Sequence, residues 1–149
     1  MIDFVAKNSG KRIKIIPASF KNACKLKVEA MKCLKDSGVL DKLKENIGNI
    51  QISTILKELA TLIISLDTSE GFNNAVMDCL SVCICDNSHA ITEQYFNDCP
   101  ELWEDYYEIV TKCVEVNLRP FFKSLSSELS TRFPQIEDSQ QQELQPVKM

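Results

Sequence analysis

Apolar residues near the N-terminus flank a turn signal. The segments on either side of Asn8-Ser9-Gly10 are rich in isoleucine, valine and phenylalanine, with Lys14 between two isoleucines. This pattern predicts a β-hairpin over residues 2–16. Because a lone hairpin is marginally stable in water, we expect it to pack against the rest of the chain.

From Ser19 onward, apolar positions recur at helical spacing. A first helix is predicted from Ser19, its N-cap, to Ser37, and Gly38 supplies the stop. We expect its apolar side to face the core through Phe20, Cys24, Val28, Met31 and Leu34. A second helix with a broad apolar face is predicted from about Ile50 to Ser65.

A capping box marks the start of the third predicted helix. In Asp67-Thr68-Ser69-Glu70, Asp67 is predicted to cap the helix and Glu70 to reach back toward it. This helix is expected to run to about Cys85. The residues that follow, 86–88, are Asp, Asn and Ser, which are typical of a turn.

Two further helix starts follow the turn. Thr92 can cap a short helical turn through Phe96. The segment 98–101, Asp-Cys-Pro-Glu, is a second capping signature, with proline in the first helical turn where it is tolerated. It predicts the longest helix of the chain, ending at about Asn117.

Pro120 cannot donate a backbone hydrogen bond, so the chain is predicted to kink there or to begin a last helix. The pattern as a whole predicts a mainly α fold, a compact bundle of about five to six helices with a short N-terminal β-hairpin. The predicted single helical domain covers residues 1–134, with the hairpin at 2–16 and the helices at 19–133. Residues 135–149 are polar and rich in glutamine, and we expect a disordered tail.

The predicted helix after Pro100 carries two apolar stripes. One stripe is Leu102, Tyr106, Ile109, Cys113 and Val116, and the stripe beside it is Trp103, Tyr107, Val110 and Val114. So wide an apolar arc exceeds what a surface helix normally buries against its own domain. The helix is therefore either central to the core, or its second stripe faces another chain.

Aromatic pairs at 106–107 and 121–122 are candidate binding anchors, because aromatic residues dominate the energetics of interfaces. We assign Tyr106 and Phe121 to the core and expect the neighbouring aromatics to be exposed. The residues predicted to contact a partner or a second copy are Trp103, Tyr107, Val110, Val114 and Phe122.

Charge is unevenly distributed, although the net charge is only −4. Residues 1–50 hold eleven of the seventeen basic residues and five acids, whereas Glu58 to Thr111 contains eleven acids and no Lys or Arg. The acidic stretch is either a solvated face or one half of a head-to-tail contact with the basic end of a second copy. Such a contact would build rings or open spirals. An acidic surface of this length argues against nucleic-acid binding.

Composition restricts the class of protein further. No apolar run reaches the ~20 residues that span a bilayer, and the N-terminus lacks the charged start and apolar stretch of a signal peptide. We therefore expect no membrane association and a location in the cytoplasm. The seven cysteines are odd in number and lack the spacing of a disulfide framework, which fits a reducing compartment.

The best candidate for a metal site is the group Cys79, Cys83, Cys85, His89 and Cys99. Soft ligands this close in sequence could hold zinc, but the spacing matches no common finger pattern. Cys79 and Cys83 also occupy positions where the helical period calls for apolar residues. These cysteines are therefore either thiols of the core or ligands of a zinc site, and both interpretations stay open. We predict core thiols, with no metal and no cofactor.

No constellation predicts catalysis. The only histidine, His89, lies in a predicted turn, and nothing marks a nucleophile beside it. The four glycines are isolated, which excludes a phosphate-binding loop or a dinucleotide fingerprint. Paired carboxylates such as Asp105 and Glu108 share one helix face, but within a Lys-free acidic stretch we interpret them as solvated. The sequence therefore predicts a protein that is not an enzyme.

Five stretches along residues 15–133 form an ordered set. They are Pro17-Ala18-Ser19-Phe20-Lys21-Asn22-Ala23, Ser65-Leu66-Asp67-Thr68-Ser69, Ile91-Thr92 with Phe96, Asp105-Tyr106-Tyr107-Glu108, and Val116-Asn117-Leu118-Arg119-Pro120-Phe121-Phe122-Lys123. In order and spacing they resemble the tail assembly chaperone family encoded by long-tailed phages and prophages of Gram-positive bacteria. The chain departs from the family pattern at Trp103 and Glu104, where an arginine is common, and at the turn from Cys85 to His89.

The resemblance implies a helical fold, self-association, and binding to the tape measure protein before the tail tube polymerises around it. On this hypothesis the chain works in the host cytoplasm, where it keeps the tape measure protein soluble. The alternative is an acidic regulatory or nucleic-acid-mimic module that binds a basic host protein. The self-association expected from the charge pattern is head-to-tail.

Overall fold

Five α-helices and four short β-strands lie within residues 1–38, 52–65 and 68–121, which are the residues that this computed structural model describes. The strands are β1 (Ile2–Val5), β2 (Arg12–Ile15), β3 (Ile84–Cys85) and β4 (His89–Ala90). The helices are α1 (Phe20–Asp36), α2 (Ile52–Ile64), α3 (Glu70–Leu80), α4 (Glu93–Asp98) and α5 (Tyr106–Leu118), with 3-10 helices at Pro100–Asp105 and Arg119–Phe121. The predicted mainly α fold with an N-terminal hairpin is confirmed.

The N-terminal hairpin is part of a larger sheet than the sequence predicts. The four strands are antiparallel in the order β1-β2-β3-β4, with Ile13 paired to Cys85. The predicted turn at 86–88 is confirmed, and both Asp86 and Asn87 have positive φ angles, which these residue types tolerate. The predicted extension of the third helix to Cys85 is wrong, because α3 ends at Leu80 and the chain then pairs with the free edge of β2.

Side-chain caps account for most helix starts. Ser19 caps α1 by accepting a hydrogen bond from the backbone of Asn22 at 3.2 Å, and Thr92 caps α4 in the same way, as predicted. The predicted capping box at Asp67 is wrong. Ser69 is the cap of α3, at 3.1 Å from the backbone nitrogen of Phe72, and Asp67 lies outside the described residues.

The predicted helix from Pro100 to Asn117 is divided in two. A 3-10 helix occupies Pro100–Asp105, and α5 begins only at Tyr106. The predicted cap, Asp98, is instead the last residue of α4. Pro120 lies in the second 3-10 helix, so the regular α-helix ends before it, as the missing backbone donor requires.

The core lies between α1, α2, α3, α5 and the sheet. Its fully buried large residues include Phe72, Ile13, Ile15, Leu26, Leu34, Ile55, Leu59, Leu80, Ile91, Leu102, Ile109 and Leu118. The predicted buried side of α1 is confirmed for Met31 and Leu34 and wrong for Phe20 and Val28. The helix buries Ala23, Leu26, Ala30, Met31, Cys33 and Leu34, whereas Phe20 and Val28 are 77% and 50% exposed.

The predicted last helix beyond Phe121, the domain boundary at 134 and the tail at 135–149 lie outside the described residues. Among the helices that the structure describes, none is long and apolar enough to cross a membrane.

Candidate functional site

The start of α5 holds the N-terminal hairpin through two carboxylates, which we name the hairpin clasp. Asp105 is only 1% exposed, and its two oxygens accept hydrogen bonds from the backbone nitrogens of Asn8 at 2.8 Å and Ser9 at 2.9 Å. Glu108, one turn later, accepts from the backbone nitrogen of Lys7 at 3.1 Å. The prediction that Asp105 and Glu108 are merely solvated is therefore wrong.

The hairpin clasp favours the ionised form of Asp105. Burial by itself would raise the pKa of this carboxyl, but the hydrogen bonds from Ser9 and Asn8 together outweigh burial and lower the pKa below its usual value. Asp105 is therefore ionised and hydrogen-bonded at physiological pH, where it anchors the hairpin to α5. A carboxyl with so low a pKa is unsuited to general acid–base chemistry near neutral pH.

A second polar anchor lies at the other end of α5. The Asn117 side chain, which is buried, accepts a hydrogen bond from the backbone nitrogen of Ala18 at 2.9 Å. Its amide nitrogen donates to the carbonyl of Cys113 at 2.9 Å. Asn117 thus fixes the chain just before α1 begins, so α5 holds both the hairpin and the entrance to α1.

An aromatic groove of about 290 Å³ lies on the surface and is lined by Met77, Phe96, Trp103, Tyr106 and Tyr107. The indole nitrogen of Trp103 donates to the carbonyl of Phe96 at 2.8 Å, while 58% of the residue is exposed. The rings of Phe96 and Tyr106 meet edge to face at 5.6 Å, and Tyr106 meets Tyr107 in the same way at 5.7 Å. The groove therefore presents an ordered apolar surface to solvent.

A second groove adjoins the aromatic groove at Tyr107. Its volume is about 300 Å³, and it is lined by Ala60, Ile64, Tyr107, Glu108, Thr111, Lys112 and Glu115. Ile64 is exposed at the end of α2. Because Tyr107 belongs to both grooves, apolar surface continues from Trp103 across α5 to α2.

The structure divides the predicted contact residues into three groups. Trp103 and Tyr107 are exposed, at 58% and 36%, and line the aromatic groove. Val110 and Val114 are buried in the core, so the prediction that they contribute to an exposed stripe is wrong. Phe122 lies outside the described residues. The second stripe therefore belongs to the core along α5 and to the surface only at its N-terminal end.

Part of the charge complementarity seen in the sequence is satisfied within the chain. Lys11 forms an ion pair with Asp86 at 3.3 Å across the sheet. The backbone nitrogen of Arg12 also donates to Asp86, and this hydrogen bond is the main cause of the lowered pKa of Asp86. Lys11 and Arg12 are thus paired with Asp86 and Asp3 within the chain, whereas the lysines of α1 lie on a different element.

The candidate zinc ligands are used in other ways. The thiols of Cys79 and Cys83 lie 3.6 and 3.7 Å from the carbonyls of Asn22 and Ile16, to which they donate. Burial raises the pKa of Cys79 to about 12, which disfavours the thiolate that zinc requires. His89, which is exposed, stacks on Tyr95 with the ring centroids 5.2 Å apart. Across residues 1–38, 52–65 and 68–121, no three or more His, Cys, Asp or Glu side chains are arranged to hold a metal ion.

We accordingly predict that the purified protein contains no stoichiometric zinc. Elemental analysis after purification without chelators measures this directly, and the double variant Cys83→Ser with Cys85→Ser serves as the comparison. One zinc per chain in the original protein, lost in the variant, would contradict the prediction.

A family model described as phage tail assembly chaperone protein matches residues 8–130. The chain belongs to this family. No curated protein and no solved structure matches it significantly. The matched range of the tail assembly chaperone family contains the aromatic groove, both carboxylates of the hairpin clasp and Asn117.

The geometry gives a physical account of the stretches that carried the family resemblance. In Asp105-Tyr106-Tyr107-Glu108, the two acids form the hairpin clasp and the two tyrosines line the aromatic groove. Asn117, from the later stretch, binds Ala18 of the Pro17-Ala18-Ser19 stretch. The later tail assembly chaperone stretch thus contacts the Pro17-Ala18-Ser19 stretch through a side-chain-to-backbone hydrogen bond that a sequence pattern does not reveal.

Proposed function

We propose that this chain is a non-enzymatic chaperone that binds the tape measure protein and keeps it soluble in the host cytoplasm until the tail tube assembles around it. The observation that carries this proposal is the aromatic groove, in which Trp103 is exposed and yet fixed by its hydrogen bond to Phe96. An ordered apolar groove at the surface is the kind of site that binds an apolar helix.

The physical need for such a chaperone follows from the nature of its proposed partner. A long protein that exposes apolar helices before assembly is prone to aggregate, and a partner must cover that surface meanwhile. The aromatic groove and the adjoining groove share Tyr107 and so offer a surface longer than either groove alone. Apolar side chains spaced along one face of a helix could occupy both.

Self-association is also part of the proposal. The basic first third of the chain and its Lys-free acidic middle support a head-to-tail contact, which would close into a ring or continue as an open spiral. No contact with nucleic acid or membrane is proposed for this function.

The acidic regulatory or mimic module is the weaker alternative. A nucleic-acid mimic needs its acids on the surface, where they can meet a basic partner. Asp105 is buried, and Asp86 and Glu108 already accept hydrogen bonds from the chain's own backbone. These acids therefore contribute to the fold, which leaves fewer of them to imitate a phosphate backbone.

Co-expression with the tape measure protein of the same phage tests the proposed function. We expect the tape measure protein to become soluble and to co-purify with the original chain. Trp103→Glu should abolish co-purification, because it places a charge in the apolar groove. Val82→Glu is the matched control, since it adds the same charge at another exposed apolar position, which lines neither groove.

Two results would count against the proposal. If the tape measure protein stays insoluble in the presence of the original chain, the chaperone function fails. If Trp103→Glu and Val82→Glu retain the tape measure protein equally well, the aromatic groove is not the binding site. Thermal unfolding of each variant shows whether a loss of binding is accompanied by a loss of folded structure.

A further inference from the structure

The outer face of α1 is a second exposed apolar surface. Phe20, Cys24 and Val28 follow one another at intervals of four residues, so they lie along one side of the helix. Phe20 is 77% exposed, Val28 is 50% exposed, and Cys24 is half-buried. We name these three residues, with the lysines beside them, the α1 outer face.

The charge of the α1 outer face is strongly positive. Within Phe20–Asp36 there are two acids, Glu29 and Asp36, and five lysines: Lys21, Lys25, Lys27, Lys32 and Lys35. Glu29 is already paired with Lys32 at 3.4 Å. Lys21, Lys25 and Lys35 lie at exposed positions, so positive charge flanks the apolar residues of this face.

The aromatic groove has the opposite character. It is also apolar, but its five lining residues all come from the segment Glu58 to Thr111, which contains no Lys or Arg. Glu104 directly follows Trp103, Glu108 directly follows Tyr107, and Glu101 lies two residues before Trp103. Glu101 and Glu104 are exposed. An apolar helix face flanked by lysines is therefore complementary to this groove in apolar character and in charge.

The α1 outer face and the aromatic groove do not meet within one chain. None of the residues lining the aromatic groove comes from α1, and the groove at the α1 outer face, lined in part by Cys24, Lys25 and Val28, is completed by residues of α3. A contact between the α1 outer face and the aromatic groove must therefore join two copies of the chain.

We propose that the α1 outer face of one copy docks in the aromatic groove of a second copy. Phe20 and Val28 enter the groove beside Trp103 and Tyr107, while lysines of α1 face the acids that border it. Because the two surfaces differ, the contact is heterologous: the first copy keeps its aromatic groove and the second copy keeps its α1 outer face for further copies. Head-to-tail assembly follows directly from this pairing.

The pairing also regulates the groove. This consequence rests on the proposed function, in which the tape measure protein binds the same groove. A neighbouring copy then covers the apolar surface until the tape measure protein displaces it, so the groove is not exposed to non-specific contacts in the meantime. Self-association of the chain and binding of the tape measure protein therefore compete for the aromatic groove.

Mixing two variants tests the pairing with the full chain. Phe20→Asp disables the α1 outer face but keeps the groove, and Trp103→Asp disables the groove but keeps the α1 outer face. Both positions are exposed, so each variant should stay folded, although Phe20→Asp loses a ring contact with Phe121 and Trp103→Asp loses the hydrogen bond to Phe96. Thermal unfolding of each variant checks this. Val82→Asp, at an exposed apolar position in neither surface, is the matched control.

Light scattering coupled to size-exclusion chromatography gives the mass of each species. We expect the original chain and Val82→Asp to assemble, and each of the two surface variants alone to be monomeric, with association weakened more than about tenfold. An equimolar mixture of Phe20→Asp and Trp103→Asp should form a dimer and nothing larger, because only one complementary pair of surfaces remains. A mixture that stays monomeric, or either surface variant assembling alone, would overturn the pairing.

Charge reversal tests the electrostatic contribution to the proposed contact between the α1 outer face and the aromatic groove. Lys25→Glu alone and Glu104→Lys alone should each weaken assembly, and combining both changes in one chain should restore it at least in part. Raising the salt concentration should shrink the assemblies without abolishing them, since charges are screened within about 8 Å at physiological salt while apolar contacts remain. Failure of the double variant to recover any assembly would show that these charges do not meet.

Phe20→Asp separates this inference from the proposed function. Its groove is intact and uncovered, so it should retain the tape measure protein at least as well as the original chain does. Retention by Phe20→Asp without complementation in the mixture would overturn only the pairing. Complementation without any binding of the tape measure protein would overturn only the proposed function.

Discussion

Asp105→Ala is expected to lower the free energy of unfolding by about 3 kcal/mol, because it removes two hydrogen bonds to a charged acceptor. The backbone nitrogens of Asn8 and Ser9 would lose their partners in a part-buried environment. The hairpin would also lose its strongest link to α5, leaving Glu108 as the remaining carboxylate of the hairpin clasp. Denaturant titration measures the change, which corresponds to a fall of roughly 10 °C in melting temperature.

Glu104→Ala is the matched control for this variant. Glu104 is exposed and lies next to Asp105 in the same 3-10 helix, and its side chain takes no part in the hairpin clasp. Its replacement should change the free energy of unfolding by less than about 0.5 kcal/mol. Equal effects of the two substitutions would mean that the hairpin clasp does not stabilise the fold.

The pH dependence provides an independent check on the same residue. The pKa of Asp105 is lowered in the folded chain, so its ionised form contributes stability above the unfolded value of about 3.9. That contribution is lost as the pH falls through the folded pKa. The difference in stability between the original chain and Asp105→Asn should therefore be constant at neutral pH and shrink below about pH 4. A difference that is unchanged at low pH would contradict this assignment.

Asn117→Ala is expected to lower the free energy of unfolding by about 2 kcal/mol. The substitution leaves the backbone nitrogen of Ala18 without its acceptor, removes the hydrogen bond to the Cys113 carbonyl, and opens a small cavity beside α5. Since Ala18 directly precedes the cap of α1, amide hydrogen exchange should also accelerate over the first turn of α1.

Asn74→Ala controls for the change of residue type in the second experiment. Asn74 is exposed in α3, and alanine raises the helix propensity there as it does at position 117. Asn74→Ala should leave the free energy of unfolding unchanged or raise it slightly. If Asn117→Ala were equally neutral, and exchange in α1 did not change, the buried amide would not be fixing the entrance to α1.

Local sequence signals determined the N-terminal hairpin and the starts of two helices. The turn at Asn8-Ser9-Gly10 specified the hairpin, and the caps at Ser19 and Thr92 specified where α1 and α4 begin. Each of these signals acts through a backbone group within three residues, so it can be read without knowing the rest of the fold. The exposure of Trp103 and Tyr107 was likewise expected from a helix with more apolar residues than one face can bury.

Tertiary structure alone decided which of several apolar positions is buried. On α1, the residues from Ala23 to Leu34 that face α3 and α5 include two small alanines, which allow close packing. The helical period permits either this side or the side of Phe20 and Val28 to face inward, because the two apolar arcs overlap. The same reasoning applies to α5, where the neighbouring elements bury Val110 and Val114 but leave Trp103 at the surface.

The polar anchors depended on tertiary structure for a different reason. Asp105 and Asn8 are 97 positions apart, and Asn117 and Ala18 are 99 apart, so no local pattern shows that they meet. Strands β3 and β4 have two residues each. The edge of β2 supplies backbone partners for β3, and β3 in turn pairs with β4. Sequence periodicity records which residues can be buried or paired, whereas the partner that each one obtains is fixed only when distant segments pack together.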